Sequence, residues 1–178
     1  MINFKDFIKK KNFLDCEPLL PPDAIEHFEK RTKEHIARVQ ENAKKLVTYV
    51  DLSPDFLDRV AQHDRSKFYS DIYQGYVWID YHYNCNADYP SKEIRDLATS
   101  CYKKHYQEER HHPEHYSNCN DMTIEDLAEM ICDWHAMSQE LGGKTSEFWK
   151  NKASRKYNFD ECRKNTIEKL IQFFEQGE

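Results

Sequence analysis

Apolar side chains recur every three or four residues along most of this chain, which is the spacing of one helix face and not the alternation typical of strands. Glycine is scarce, with only four in 178 residues. The sequence therefore predicts an all-α fold. A chain of this length that is 39% hydrophobic and 33% charged suits one domain with a core large enough to fold alone.

The N-terminal part of the chain divides into a short extension and the start of the main domain. We expect a helical extension over residues 1–22, with an amphipathic helix over 2–13 that the proline-bearing stretch EPLLPPD ends. The main helical domain covers 23–178. Asp23 is placed to cap a long helix over about 24–50. The core-facing stripe of this helix comprises Ile25, Phe28, Thr32, His35, Ile36, Val39, Ala43, Leu46, Val47 and Val50.

The next helix carries a conspicuous polar pair. Ser53 is a favoured N-cap and Pro54 is tolerated at the first helical position, so DLSPDF begins a new helix. That helix delivers His63 and Asp64 at its C-terminal end. Its apolar residues are Phe56, Leu57 and Val60. The aromatic stretch FYSDIYQGYVWIDYHY predicts a further helix after it.

Histidines are dense in the middle of the chain. A helix over about 92–107 aligns Ile94, Leu97, Ala98, Cys101 and His105 on one face. Pro113 breaks the periodicity, so His112 is expected at a helix end or in a loop. His105 thus lies on a core-facing stripe, and His111 and His112 follow it closely.

The last third of the chain predicts three helices. Thr123 caps the first of them, with Asp126 in the place of the usual capping-box glutamate. One side of this helix carries Ile124, Leu127, Ile131, Trp134 and Ser138. Asp133 lies near that buried side, and the LGGK stretch closes the helix with glycine. Two amphipathic helices finish the chain.

The net charge and the cysteines limit which partners and which cellular compartment the sequence predicts. The net charge of -6 gives no global basic field for duplex nucleic acid or an anionic membrane. The six cysteines form no C-x-x-C pair and are expected to be free thiols. The first residues lack the apolar run of a signal peptide, and the chain has no stretch of 18 apolar residues for a membrane span. We therefore expect a cytoplasmic protein, in the host cytoplasm if it is viral.

Four polar residues come from separate parts of the predicted bundle: His35, the adjacent pair His63 and Asp64, and Asp133. Of these, His35 and Asp133 are expected on or beside apolar faces. One interpretation is hydrogen-bonded core histidines and a solvated polar turn. The other is a metal site, because a buried carboxylate is costly unless paired, and a divalent cation held with neighbouring imidazoles offsets that cost. Taken together, the four residues favour the metal site.

The order and helical context of these residues resemble the HD-domain superfamily of metal-dependent phosphohydrolases. The resemblance covers about residues 23–141, and HDRSKF, HHPEHY and MICDWHAMS look like an uncharacterised group of small phage and bacterial proteins within it. It implies a helical bundle of HD-domain type. It also implies that His35, His63, Asp64 and Asp133 bind one divalent transition metal ion (Mn, Co, Ni, Zn or Fe), with Asp64 orienting a water activated by the metal.

The sequence differs from members of that superfamily in two motifs that bear on the expected substrate. Members that hydrolyse cyclic dinucleotides carry a Gly-Tyr-Pro motif, which is absent here. Deoxynucleotide monophosphatases often place a glutamate just after the His-Asp pair, where this chain has Arg65, Ser66 and Lys67. The leading hypothesis is a phosphohydrolase acting on a nucleotide or related small phosphate ester. The alternatives are a di-iron oxygenase on the same scaffold and a non-catalytic nucleotide-binding module.

Two further predictions concern residues around the expected ion. His105, His111 and His112 could hold a second ion bridged by Asp64, or they could be hydrogen-bonded partners or part of a solvated loop. His115 is expected at the surface. Lys67, three residues after Asp64, is placed to neutralise a phosphate oxygen in the transition state, and relatives of the superfamily carry a lysine at the matching position. The competing interpretation is an exposed lysine paired with a carboxylate such as Asp71.

Overall fold

The computed structural model describes residues 20–176, and the helix expected over 2–13 lies outside the described residues. Within residues 20–176 the chain forms seven helices and no strand, which confirms the all-α prediction. The helices are α1 (Pro22–Leu46), α2 (Phe56–Val60), α3 (Tyr73–Cys85), α4 (Lys92–Glu108), α5 (Ile124–Leu141), α6 and α7 (Glu161–Gln176). Helix α6 consists of Thr145–Phe148, a π-helical turn over Trp149–Ala153 and Ser154–Lys156.

Both predicted ends of α5 have the expected local chemistry, whereas the predicted caps Asp23 and Ser53 do not cap their helices. Thr123 and Asp126 form the predicted capping box of α5, and Gly142 ends that helix in the left-handed conformation with φ 68°. The prediction for Asp23 is wrong, because α1 begins at Pro22 and Asp23 lies inside its first turn without capping it. The Asp23 carboxylate instead accepts a hydrogen bond from the Tyr81 hydroxyl at 2.9 Å.

Helix α2 is shorter than the sequence predicts. The carbonyl of Ser53 accepts a bond from the Phe56 amide at 3.0 Å, and the helix proper then ends at Val60. His63 and Asp64 therefore lie in the turns that follow α2 and not on its last turn. Leu57, expected in the core, is 41% exposed because so short a helix buries only one side.

The core consists of two clusters that share α1. The larger one joins α1, α5 and α7 and contains Val39, Ala43, Leu46, Leu127, Ile131, Ile167, Leu170 and Phe174 among others. The smaller one joins α1, α3 and α4. Gly75 permits close approach of α3 and α4, because a Cβ atom there would overlap the Cys101 side chain. Helix α1 thus lies between the two clusters with His35 midway along it.

No helix within residues 20–176 has the length and apolar character needed to cross a lipid bilayer.

Candidate metal centre

The residues predicted to bind metal lie together at the junction of α1, α4 and α5. His35 comes from α1, His105 from α4 and Asp133 from α5, while the loop segments supply the rest: His63, Asp64, His111 and His112. His35, His63, Asp64, His105 and His111 are each at most 4% exposed. Histidines buried at this density need polar partners within the centre, since little of their surface is open to solvent.

Asp64 is the central residue of the cluster. One carboxylate oxygen, Oδ2, lies 3.5 Å from His35 Nε2 and 3.7 Å from His63 Nε2. The other, Oδ1, lies 3.3 Å from His105 Nε2 and 3.8 Å from His111 Nε2. Its backbone is in the left-handed region with φ 59°, which aspartate tolerates better than most residues. Each carboxylate oxygen therefore faces a different group of imidazoles.

The first group, the Oδ2 pocket, comprises His35, His63 and Asp133 beside Asp64 Oδ2. His35 Nε2 lies 3.0 Å from Asp133 Oδ1, and His63 Nε2 lies 3.9 Å from the same oxygen. One potential ligand atom from each of His35, His63 and Asp133 falls within 4.8 Å of the others. The four residues of the predicted mononuclear site are thus brought together, as one ion requires.

The second group, the Oδ1 pocket, comprises His105, His111 and His112 beside Asp64 Oδ1. Potential ligand atoms of these residues and Asp64 also lie within 4.8 Å of one another. The Nε2 atoms of His105 and His112 are 3.1 Å apart. His111 is 1% exposed, so it does not belong to a solvated loop. His115, by contrast, is only partly buried, and its Nδ1 contacts the carbonyl of Gln107 at 2.6 Å.

Sequence reasoning missed the residues that hold the outer ring nitrogens. Glu129 Oε1 lies 2.9 Å from His63 Nδ1, and Ser66 Oγ lies 2.7 Å from His105 Nδ1. These contacts turn the Nε2 atoms of His63 and His105 toward Asp64, the arrangement commonly found around protein metal ions. Glu129 precedes Asp133 by four residues on α5, so helical spacing alone could have placed both carboxylates on one face.

The donor atoms of the centre fit a divalent transition metal. His63 Nε2 and His111 Nε2 are buried and make no hydrogen bond within the described chain. Buried nitrogens without a partner are rare in folded proteins and call for an explanation. Imidazole nitrogens combined with carboxylate oxygens are the ligand set of Zn, Fe, Co, Ni and Mn sites. A bound ion would satisfy these nitrogens, so the residues present suit such an ion.

The two aspartates of the centre are held in the ionised form. Burial on its own would raise the pKa of Asp64, but the Lys67 ammonium and His63 hold it well below its usual range. Burial likewise acts to raise the pKa of Asp133, and the contact with His35 outweighs it and lowers that pKa. Both carboxylates are therefore anionic at neutral pH, which is the state that binds cations.

The imidazoles of the centre divide by charge. Burial on its own would lower the pKa of His63, but Asp64 raises it to about 9. Burial lowers the pKa of His105 and, together with the neighbouring His111, holds that of His112 well below its usual range. His105 and His112 are thus neutral at pH 7, and the centre without an ion carries a proton on His63.

Lys67 is a neighbour of Asp64, as the sequence predicts. Its ammonium lies 2.5 Å from Asp64 Oδ2, and the side chain is only 19% exposed. The alternative interpretation is an exposed lysine paired with a carboxylate such as Asp71. Asp71 pairs instead with Lys104, at 3.2 Å. The Lys67 ammonium also lies 5.4 Å from the centre of the Tyr76 ring. Lys67 is therefore a partly buried cation beside the centre and not a fully exposed surface lysine.

A cavity of about 760 Å³ opens over the centre. His63 and His111 lie behind its wall, while His35, Asp64 and Lys67 face it. The other centre residues in its wall are His105, His112 and Asp133. Further lining comes from the aromatic residues Tyr76, Tyr102, Tyr106, Trp134, Phe148 and Tyr157 and the cations Arg31, Lys144, Lys152 and Lys156. The wall thus combines positive charge with aromatic surface.

Comparison with known proteins identifies a family but no characterised relative. No curated protein and no solved structure matches the chain. The model of a family of unknown function, DUF5662, matches residues 24–174, which include every residue of the centre and all of the helices except the first two residues of α1 and the last two of α7. The chain therefore belongs to the DUF5662 family of unknown function.

Proposed function

We propose that this protein is a metal-dependent phosphohydrolase with a helical bundle of HD-domain type, acting on a nucleotide or related small phosphate ester. The observation that carries the proposal is the position of Asp64, which lies between two groups of imidazoles below a cavity lined by cations and aromatic rings. The resemblance of the His-Asp pattern to HD-domain phosphohydrolases supports the same chemistry.

In this proposal the Oδ2 pocket holds the first divalent ion, through His35, His63, Asp64 and Asp133. The Oδ1 pocket, with Asp64 as the shared ligand, provides a second position. When bound, a divalent ion polarises a phosphoryl oxygen and lowers the pKa of a coordinated water to about 7. The chain's own contribution is a fixed set of ligands that needs little rearrangement.

Asp64 and Lys67 have the catalytic roles in this proposal. Asp64 orients the attacking water, since its two oxygens reach both pockets. Lys67 borders the cavity within reach of a phosphate oxygen and neutralises the negative charge that develops on it. The partly buried position of Lys67 strengthens this interaction, because the surroundings screen charge less than water does.

The cavity supports a substrate larger than a phosphate ion. Its volume of about 760 Å³ lies within the range of sites for organic ligands, roughly 300 to 1,000 Å³. Trp134 and Phe148 pack edge to face in its wall with ring centres 5.0 Å apart. Aromatic walls of this kind stack flat rings such as nucleobases. A phosphate ester bearing such a ring therefore suits both the metal centre and the aromatic part of the wall.

One observation favours a second candidate, a di-iron oxygenase. The two pockets share the Asp64 carboxylate, and such a pair of positions also suits two iron ions. Iron in the purified protein at two ions per chain, with an absorbance change on exposure to oxygen, would favour this candidate over hydrolysis.

The test is metal analysis of the purified protein followed by a substrate screen. The protein is stripped of metal, reloaded separately with Mn, Co, Ni, Zn or Fe, and incubated with a panel of nucleotides and aryl phosphate esters. We expect phosphate release that requires a metal and that a chelator abolishes. If no metal supports turnover but nucleotides bind tightly, the non-catalytic binding module would be favoured over the enzyme.

A further inference from the structure

The geometry assigns Glu129 as a positioning residue shared by both ion positions. This inference rests on the proposed metal centre and adds a claim about how its two pockets are connected. Glu129 is 3% exposed and lies one helical turn before Asp133 on α5. It sits behind the imidazoles, on the side away from the cavity, so it touches neither the reacting atoms nor the substrate.

A single carboxylate oxygen of Glu129 reaches one histidine from each pocket. Oε1 lies 2.9 Å from Nδ1 of His63, whose Nε2 faces the Oδ2 pocket. The same oxygen lies 3.5 Å from Nδ1 of His111, whose Nε2 faces the Oδ1 pocket. The two rings are neighbours, with centres 4.2 Å apart. When an imidazole binds through Nε2 its Nδ1 carries the proton, and Glu129 is the acceptor available to both.

The position of Glu129 is fixed from the other side by Arg59. Arg59 Nε donates to Glu129 Oε2 at 2.8 Å, and its terminal NH2 group lies 2.7 Å from Asp126 Oδ1. Asp126 in turn accepts hydrogen bonds from Arg110 and from the Tyr116 hydroxyl. Because this support is in place before any ion binds, Glu129 holds His63 in a fixed orientation and presents the same oxygen to His111.

The other imidazole with a side-chain partner on its outer nitrogen serves one pocket alone. Ser66 Oγ contacts His105 Nδ1 at 2.7 Å, and no other imidazole of the centre shares this hydroxyl in the described structure. Loss of Ser66 should therefore weaken the Oδ1 pocket only, whereas loss of the Glu129 carboxylate should weaken both. This difference separates a shared positioning residue from a general effect on the core.

The experiment titrates Mn²⁺ and Co²⁺ into metal-free protein, followed by calorimetry and by the visible spectrum of Co²⁺. Wild type should bind two ions. Ser66→Ala should weaken one binding event, and Glu129→Gln should weaken both, each by roughly 10- to 100-fold, the usual loss when a partner of a metal-bound histidine is removed. The Co²⁺ spectrum should change for both ions in Glu129→Gln and for one in Ser66→Ala.

Asp126→Asn is the control for loss of stability. It removes the charge of Asp126 but keeps an oxygen that can face Arg59 and leaves the Arg59–Glu129 bond in place, so it should lower the melting temperature and leave both affinities unchanged. If Glu129→Gln does not fold, Arg59→Lys replaces it and should weaken both events by a smaller factor. If wild type binds two ions and Glu129→Gln weakens the binding of only one or of neither, this inference is overturned while the proposed function stands. A wild type that binds one ion would also overturn it and leave the Oδ2 pocket standing, and one that binds none would remove the proposed function too.

Discussion

Two buried carboxylates, Asp126 and Asp64, lie in the same bundle in opposite situations. Asp126 is completely buried, yet the chain itself surrounds it with donors from Arg59, Arg110, Tyr116 and Thr123. Asp64 is equally buried, but its neighbours are mainly imidazole nitrogens, two of which, His63 Nε2 and His111 Nε2, have no hydrogen-bond partner in the described chain. The charge of Asp126 is compensated by donors of the fold, whereas Asp64 lies in a group of side chains that could hold a metal ion.

The largest expected effect comes from Asp64→Asn. Asparagine keeps the shape and tolerates the left-handed backbone, but it removes the charge that faces both pockets. We expect kcat/KM to fall by about 10⁴-fold, the scale seen when a residue central to the reacting groups is lost. The measurement is phosphate release together with metal content. The matched control is Asp71→Asn, which alters an exposed aspartate paired with Lys104 and should retain full activity.

Lys67→Ala tests whether the cation beside Asp64 acts on the substrate. Metal content and folding should be retained, and kcat/KM should fall by roughly 10² to 10³, the usual loss for one transition-state donor. Lys104→Ala, which removes a half-exposed lysine paired with Asp71, serves as the control. Full activity with unchanged KM in Lys67→Ala would leave this lysine only a structural partner of Asp64.

Asp126→Asn tests the other side of the comparison, since this carboxylate should stabilise the fold without contributing to catalysis. Breaking its pairs with two arginines should cost about 3 kcal/mol at pH 7, less than for a fully buried pair because both arginines remain partly solvated. Denaturant unfolding of wild type and variant measures this difference, while activity per folded molecule should stay at the wild-type level. A variant with normal stability and lost activity would reverse the roles assigned to the two carboxylates.

The difference in unfolding free energy between wild type and Asp126→Asn should depend on pH in a defined direction. Burial acts to raise the pKa of Asp126, but the Tyr116 hydroxyl and the neighbouring donors outweigh it and lower that pKa. A carboxyl group with a lowered folded pKa stabilises the protein above its unfolded pKa of about 3.9, and this contribution is lost as the pH falls further. The stability gap between wild type and Asp126→Asn should therefore be full at pH 6 to 7 and shrink below about pH 4.

The smallest expected effect is stabilisation by the ion itself. At a free metal concentration of about 100 times Kd, binding adds about 2.7 kcal/mol to the free energy of unfolding. For a domain of this size that corresponds to a rise in Tm of about 5 to 11 °C. Thermal unfolding with and without Mn²⁺ should show this rise in wild type and Asp126→Asn and little or none in Asp64→Asn. An equal rise in all three proteins would point to ion binding elsewhere.

The regular parts of the molecule were predictable from sequence because they follow local rules. Helical spacing of apolar residues gave α1, α4 and α5, and the Thr123 capping box and the glycine after Leu141 marked the ends of α5. The order of His35, the His-Asp pair and Asp133 also indicated which polar side chains meet in the centre. Their identity as metal ligands remains a prediction.

The parts that escaped prediction depend on contacts between distant segments. Glu129 and His63 are 66 residues apart, and Ser66 and His105 are 39 apart, so no local pattern links them. The turns after Val60 and the left-handed Asp64 also break the helix that periodicity alone would continue. Such irregular backbone is set by what the side chains contact, which single-sequence reasoning does not see.

The left-handed backbone of Asp64 also determines how this position would behave in a saturation-mutagenesis screen. At φ 59°, valine, isoleucine and threonine are strained, while glycine and asparagine are tolerated. A screen scored by protein abundance should therefore deplete the β-branched residues and retain glycine, asparagine and aspartate. The same library scored by activity should retain aspartate alone. The difference between the two sets of tolerated residues would show which constraints on position 64 come from backbone conformation and which come from activity.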